Sequence, residues 1–173
     1  IILGGGPAGY VCAIRAAQLG LATAVVEKDK LGGVCVNIGC IPTKALLHSA
    51  SSINLIAHQA KELGIEVGTV KTDYGVAMKR SRRVSEQNSK GVEFLMKKNK
   101  ITVHMGSGKL VAPGKLEVTG AKGSEVLEAR HIIVATGSNA RALPGAPFDE
   151  DRILSNDGAL RIPSVPKKLG LIG

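Results

Sequence analysis

Ile1-Ile2-Leu3-Gly4-Gly5-Gly6-Pro7-Ala8-Gly9 opens the chain, and its reading decides the fold. Three apolar residues suited to a strand run into a glycine turn. A helical pattern follows from Ala8 to Leu19, with Gly20 as its stop. Gly4, Gly6 and Gly9 stand at the positions of G-x-G-x-x-G. The first glycine permits the tight turn, the second lets backbone approach a pyrophosphate, and the third lets helix and strand pack closely. The helix N-terminus, with Pro7 and Ala8 in its first turn, offers unpaired N–H groups and a partial positive charge to phosphates. Alone the pattern is weak, but its context strengthens it. Ala22 to Val26 reads as a second strand, buried on both faces, and runs into Glu27 and Lys28. A carboxylate about 20 residues beyond the glycines is placed to accept bonds from the ribose hydroxyls of an adenine dinucleotide. The plainer alternative is a glycine-rich turn beside a surface Glu.

Downstream, Thr72 or Asp73 is expected to cap a helix reaching about Asn99, polar outside a thin stripe of Val76, Val84, Val92, Leu95 and Met96. Ile101 to Met105 reads as a short strand. Alternation at Lys109–Ala112, Lys115–Thr119 and Glu125–Ala129 predicts hairpins with glycine-rich turns. His131 to Ala135 reads as a buried parallel strand ending at Thr136-Gly137-Ser138, and 139–166 as a connector. Strand, helix, strand, helix, helix, hairpins, strand is the order of an α/β doubly wound parallel sheet, Rossmann-like, with an antiparallel β-meander inserted before its last strand.

Cys35-Val36-Asn37-Ile38-Gly39-Cys40 carries the redox chemistry. Metal sites usually need more than two ligands, so an isolated pair beside a dinucleotide site reads as a dithiol that cycles to a disulfide. Cys35 is expected in a loop spanning 31–39, and Cys40 at the head of a helix from Ile41 to about Ala60 with Pro42 in its first turn. A helix N-terminus lowers a thiol pKa, and Lys44, one turn after Cys40, adds positive charge. Two buried cysteines or an inert disulfide are the alternatives. A nicotinamide does not normally reduce a disulfide unaided, whereas a flavin accepts hydride and hands electrons to sulfur, so FAD is preferred over NAD for this first site. Cys12 lies within a helical pattern and reads as a small buried hydrophobe.

The stretch Leu31-Gly32-Gly33-Val34-Cys35-Val36-Asn37-Ile38-Gly39-Cys40-Ile41-Pro42-Thr43-Lys44-Ala45-Leu46-Leu47 resembles the active-disulfide segment of the pyridine nucleotide–disulfide oxidoreductases. Within that family, residues 41–47 are most similar to the branch that oxidises dihydrolipoamide; glutathione and mercuric reductases usually diverge there. Ala135-Thr136-Gly137-Ser138 resembles the family's second FAD motif, and 165–173 the entry to its NAD domain. The resemblance implies a division into 1–142, an FAD-binding domain with the redox disulfide, and 143–173, a connector with the first strand of an NAD domain. It implies FAD with its diphosphate at Gly4, Gly6 and Gly9, its ribose at Glu27, and its flavin along Gly33, Val34 and Lys44. Gly108 matches a position near the adenine, and Thr136 and Gly137 close over the cofactor. Val34 stands where many members carry Thr, which removes one hydroxyl from the cofactor's hydrogen bonds. Cys35 is implied as the thiol that exchanges with the substrate, and Cys40 as the thiol stacked against the flavin.

The implied reaction oxidises dihydrolipoamide on a lipoyl-carrier protein and reduces NAD. Implied partners are a 2-oxoacid dehydrogenase or glycine cleavage complex and a second copy of the chain. The implied compartment is bacterial cytoplasm or mitochondrial matrix. The family's histidine base belongs to a C-terminal dimerisation domain, so the 173-residue chain alone is expected to have little activity. His48 and His131 read as surface or satisfied histidines. A related disulfide or mercuric reductase, a non-catalytic FAD-binding fragment and a plain NAD-binding domain with incidental cysteines are the competing readings.

Composition agrees with one full domain and the start of a second. With Tyr10, Tyr74, Phe94 and Phe148 as its only aromatics and no Trp, the core must be built from Ala, Val, Ile, Leu and Gly. The net charge of +9 falls in clusters such as Lys79-Arg80, Arg82-Arg83, Lys97-Lys98 and Lys100, with no aromatic residues interleaved for base stacking. These read as solvated helix faces rather than a nucleic-acid surface. No apolar run is long enough to span a membrane, and no signal peptide is visible.

Overall fold

The computed structural model describes residues 1–121 and 123–172. Its centre is a parallel sheet of four strands in the order β3 (Thr102–Met105), β2 (Ala24–Glu27), β1 (Ile2–Leu3) and β7 (Ile133–Val134). Side chains alternate across a strand, and the register makes Ile2, Val25 and Val103 neighbours on one face and Leu3, Val26 and His104 on the other. The first face is covered by α1 (Pro7–Gln18) and α4 (Tyr74–Lys98), where Ile2, Val25, Ala13, Val92, Met96 and Ile101 form one core. The second face is covered by the antiparallel meander of β4 (Ser107–Ala112), β5 (Lys115–Gly120) and β6 (Gly123–Glu128), which packs Leu116 and Val118 on Val26. The Rossmann-like sheet with an inserted meander is therefore the architecture, with helices on one face and the meander on the other.

Elements differ from the sequence reading in five places. The expected loop 31–39 contains a helix, α2 (Gly33–Ile38), and α3 (Cys40–His58) begins after a one-residue break at Gly39. Asp73 caps α4 by accepting from the Val76 N–H, and Val92 and Met96 of the predicted stripe are buried, but toward the N-terminus the buried face runs through serines instead of Val76. Val76 is 62% exposed, whereas Ser81, Ser85 and Ser89 are buried at i, i+4 spacing. Small residues let α4 approach α2 and α3 closely, and two hydroxyls find backbone acceptors: Ser89 donates to the Leu31 carbonyl and Ser81 to that of Met78. The strand at 131–135 is reduced to Ile133–Val134 and exposed, because it lies at the sheet edge beside β1. Leu169 to Ile172 forms no strand; Leu171 and Ile172 lie exposed. The connector contains a short helix, α5 (Asn156–Ala159). Cys12 is half-buried against the helix-side core.

The corrected face of α4 has a direct test. Met96→Ala, at a side chain that is 1% exposed, is expected to cost about 2–5 kcal/mol in urea unfolding. Val76→Ser is expected to fall within about 0.5 kcal/mol of the parent.

Candidate functional site

The glycine turn lies at the C-terminal end of β1, where open parallel sheets bind ligands. Gly4 has φ +108° and backs onto β7, so a Cβ there would lie 2.2 Å from the Ala135 carbonyl oxygen. A Cβ at Gly9 would lie 1.8 Å from the Gly4 carbonyl oxygen, which fixes how closely α1 packs on the turn. At Gly6 the nearest atom to a Cβ would be 3.8 Å away, so this glycine keeps open space in front of its backbone. Gly6 also caps α1 without a side chain, with Pro7 and Ala8 exposed behind it, and the first-turn N–H groups have no side-chain acceptor.

Glu27 ends β2 only 9% exposed. It accepts from the Gly5 N–H at Oε2, 2.7 Å, and from the Asp29 N–H at Oε1, 2.9 Å. The carboxylate thus ties the second strand to the glycine turn, a role the sequence did not show; each oxygen has a further lone pair. A cleft of about 290 Å³ opens beside it, lined by Gly4, Glu27, Lys28, Gly106, Ser107, Gly108 and Thr136. This brings together five of the expected residues from four separate parts of the chain. Gly108 is needed where β4 crosses β1, since a Cβ would sit 2.4 Å from Leu3 Cδ1. Gly106 and Ser107 are additions; their signal was the Gly106-Ser107-Gly108 run itself. Gly137 and Ser138 lie exposed just beyond the cleft.

The cysteine segment docks on the same turn. Gly33, at φ +58°, packs against Gly6 so closely that a Cβ would lie 2.7 Å from Gly6 Cα, and the Gly32 N–H donates to the Gly5 carbonyl at 2.8 Å. Val34 is exposed on α2, Cys35 follows half-buried, and Cys40 and Lys44 are exposed on the first turn of α3. Cys35 and Cys40 are free thiols, and the Cys40 thiol neighbours that of Cys35. That neighbour is the main reason the Cys35 thiol is pushed above its ordinary pKa; burial adds to it, and Lys44 pulls the other way. At Cys35 the neighbouring sulfur thus outweighs the ammonium.

Backbone carbonyls of α2 are held from several sides. Asn37 Nδ2 donates to the carbonyls of Leu31 and Gly33, Ser89 to Leu31, Arg82 to Asn37 and Asn156 to Ile38. Arg80 donates to the Ala45 carbonyl on α3. Part of the basic cluster is thus spent on backbone contacts, while Lys79, Arg83, Lys97, Lys98 and Lys100 are exposed. His48 and His131 are also exposed. No helix among the described residues is long and apolar enough to cross a membrane.

Comparison with known proteins places this geometry. The family model described as "Pyridine nucleotide-disulphide oxidoreductase" matches residues 1–173. Over its whole length the chain is 44% identical to a dihydrolipoyl dehydrogenase of Manduca sexta, 45% to a mitochondrial dihydrolipoyl dehydrogenase of Pisum sativum and 44% to a dihydrolipoyl dehydrogenase of Cupriavidus necator. It spans about a third of their lengths, 35%, 35% and 38% respectively. Among solved structures, LpdA of Mycobacterium tuberculosis superimposes with TM-score 0.82 at 27% identity, over 95% of this chain and 37% of that one. The HOCl-induced flavoprotein disulfide reductase RclA of Escherichia coli gives 0.76 at 25% identity, over 95% and 34%.

The neighbouring thiols predict a pH signature. In Cys40→Ala the main cause of the raised Cys35 pKa is gone, so the midpoint of Cys35 alkylation by iodoacetamide should move to lower pH. Peptide-resolved mass spectrometry reads Cys35 apart from Cys12.

Proposed function

The chain belongs to the pyridine nucleotide-disulphide oxidoreductase family, and we propose that it forms the FAD- and disulfide-bearing part of a dihydrolipoyl dehydrogenase. The observation that carries this reading is the contact of Gly33 on Gly6, which docks the cysteine helix against the dinucleotide turn. The residues present fit an FAD. Gly6 leaves open space at an uncapped helix N-terminus for a diphosphate, and the cleft beside Glu27 suits an adenosine. Gly4 and Gly9 shape the turn, Glu27 offers its remaining lone pairs to the ribose, and Lys28, Gly108, Ala135, Thr136, Gly137 and Ser138 border that half. Gly33, Val34 and Lys44 border the path toward the cysteines. A bound flavin supplies a two-electron acceptor for the dithiol and a hydride donor for a nicotinamide.

The chain's own part is thiol exchange. With Cys35 and Cys40 bridged, one sulfur of dihydrolipoamide attacks Cys35 and frees Cys40 as a thiolate. The second substrate sulfur then attacks the first, closing lipoamide and releasing Cys35 with its electron pair. Two protons leave the substrate thiols, and the two cysteines carry the two electrons. Lys44 favours the thiolate forms, and a raised Cys35 thiol calls for a base when it must give up its proton. His48 and His131, exposed on the surface, are not placed for that task. We assign the base, the NAD site, the lipoyl-carrier partner and pairing with a second copy to the two thirds of the relatives' length that this chain does not span. Relatives from mitochondria and from a bacterium support a mitochondrial or bacterial cytoplasmic setting.

Gly6 and Gly9 separate binding from folding. Gly6→Ala should melt like the parent yet lose FAD affinity at least about tenfold in a flavin-fluorescence titration, because the methyl occupies the approach to the diphosphate. Gly9→Ala should be destabilised by about 1–3 kcal/mol or more. Parent-like FAD binding by Gly6→Ala would remove the turn from the cofactor site.

A further inference from the structure

The two carbonyls just ahead of Gly39-Cys40 are held by side chains from remote elements. Asn156, exposed at the start of α5, donates from Nδ2 to the Ile38 carbonyl at 2.8 Å across 118 positions of sequence. Arg82 on α4 donates from Nη1 to the Asn37 carbonyl at 3.3 Å. Arg82 Nε and Nη2 are otherwise buried with no partner among the described residues, as is the hydroxyl of Ser85 three positions on. A guanidinium buried for one carbonyl bond is a poor source of stability. Gly39, with φ −145° and ψ −112°, is the single link between α2 and α3, and a Cβ there would lie 2.9 Å from the Val34 carbonyl oxygen. The direction in which α3 leaves, and with it the position of Cys40, therefore depends on where carbonyls 37 and 38 are held.

We propose that Asn156 and Arg82 are positioning residues for the redox pair, a two-point clamp on the Ile38 and Asn37 carbonyls that keeps Cys35 on α2 within bridging distance of Cys40 on α3. The inference rests on the reading of these cysteines as a cycling dithiol. A disulfide tolerates only a narrow range of Cα separations and torsions, so loosening either carbonyl lowers the effective concentration of one sulfur at the other. Arg82 meets this segment at a backbone carbonyl, so it acts through the backbone. Asn156 also ties the redox pair to the connector: displacing α5 would loosen the cysteines.

The test is the equilibrium of the chain with glutathione and glutathione disulfide. Two cysteine thiols give up two protons and two electrons, the Cys35–Cys40 bond forms as the glutathione S–S bond breaks, and two glutathione thiols result. Alkylation and mass spectrometry give the bridged fraction. Asn156→Leu and Arg82→Met are each expected to lower the equilibrium constant about three- to tenfold, the size of one hydrogen bond. Tenfold is about 30 mV for this couple. Arg82→Met should melt no lower than the parent, since it removes a buried charge; a purely structural role would lower the melting temperature and leave the constant alone. If Arg82→Met does not fold, Asn156→Leu, at an exposed position, decides the matter. Unchanged constants in a chain whose parent bridges would overturn the clamp. A parent that never bridges at any glutathione ratio would overturn the dithiol reading itself.

Discussion

Gly33 rests its backbone on the backbone of Gly6, and the Gly32 N–H donates to Gly5 at 2.8 Å. This is the constraint on which the site depends. A side chain at Gly33 would push the cysteine helix off the turn. Glu27 fastens the assembly from the third side, because its carboxylate bonds the same Gly5 whose carbonyl receives Gly32. β2, the glycine turn and α2 are thereby joined in one hydrogen-bonded unit.

The rest of the fold serves to hold that unit. Two sheet faces separate the duties: α1 and α4 bury Ile2 and Val25 on one side, and the meander buries Val26 on the other while Gly106, Ser107 and Gly108 enter the cleft. Helix α4 combines the two. Its Val92 and Met96 join the core, and nearer its N-terminus Ser89 reaches the Leu31 carbonyl just ahead of the cysteine helix and Arg82 the Asn37 carbonyl within it. One helix thus couples the hydrophobic core to the redox segment.

The parts legible in the sequence were those with strong local chemistry. Three glycines at fixed spacing, a strand ending in Glu27, the Asp73 cap and the alternating meander strands each follow from local rules. The segment from Leu31 to Leu47 likewise marks the family by its own residues. The parts that were not legible depend on distant partners. Helix α2 has glycines at both ends and no capping side chain, so its six residues read as loop; its carbonyls are satisfied by Ser89, Arg82 and Asn156, none of them near in sequence. The serine face of α4 carries no hydrophobic signal, because small polar residues were chosen for close approach rather than burial of area. The exposure of β7 follows from its place at the sheet edge, which composition does not reveal.

The pairing of thiols next to a flavin cradle is the central claim, and one spectrum tests it most directly: the absorbance of the FAD-supplemented protein before and after dithiothreitol. The proposed function predicts flavin bands with a long-wavelength shoulder on reduction that persists in Cys35→Ser and vanishes in Cys40→Ser. Flavin bands with no shoulder, or a shoulder that survives in Cys40→Ser, would contradict it.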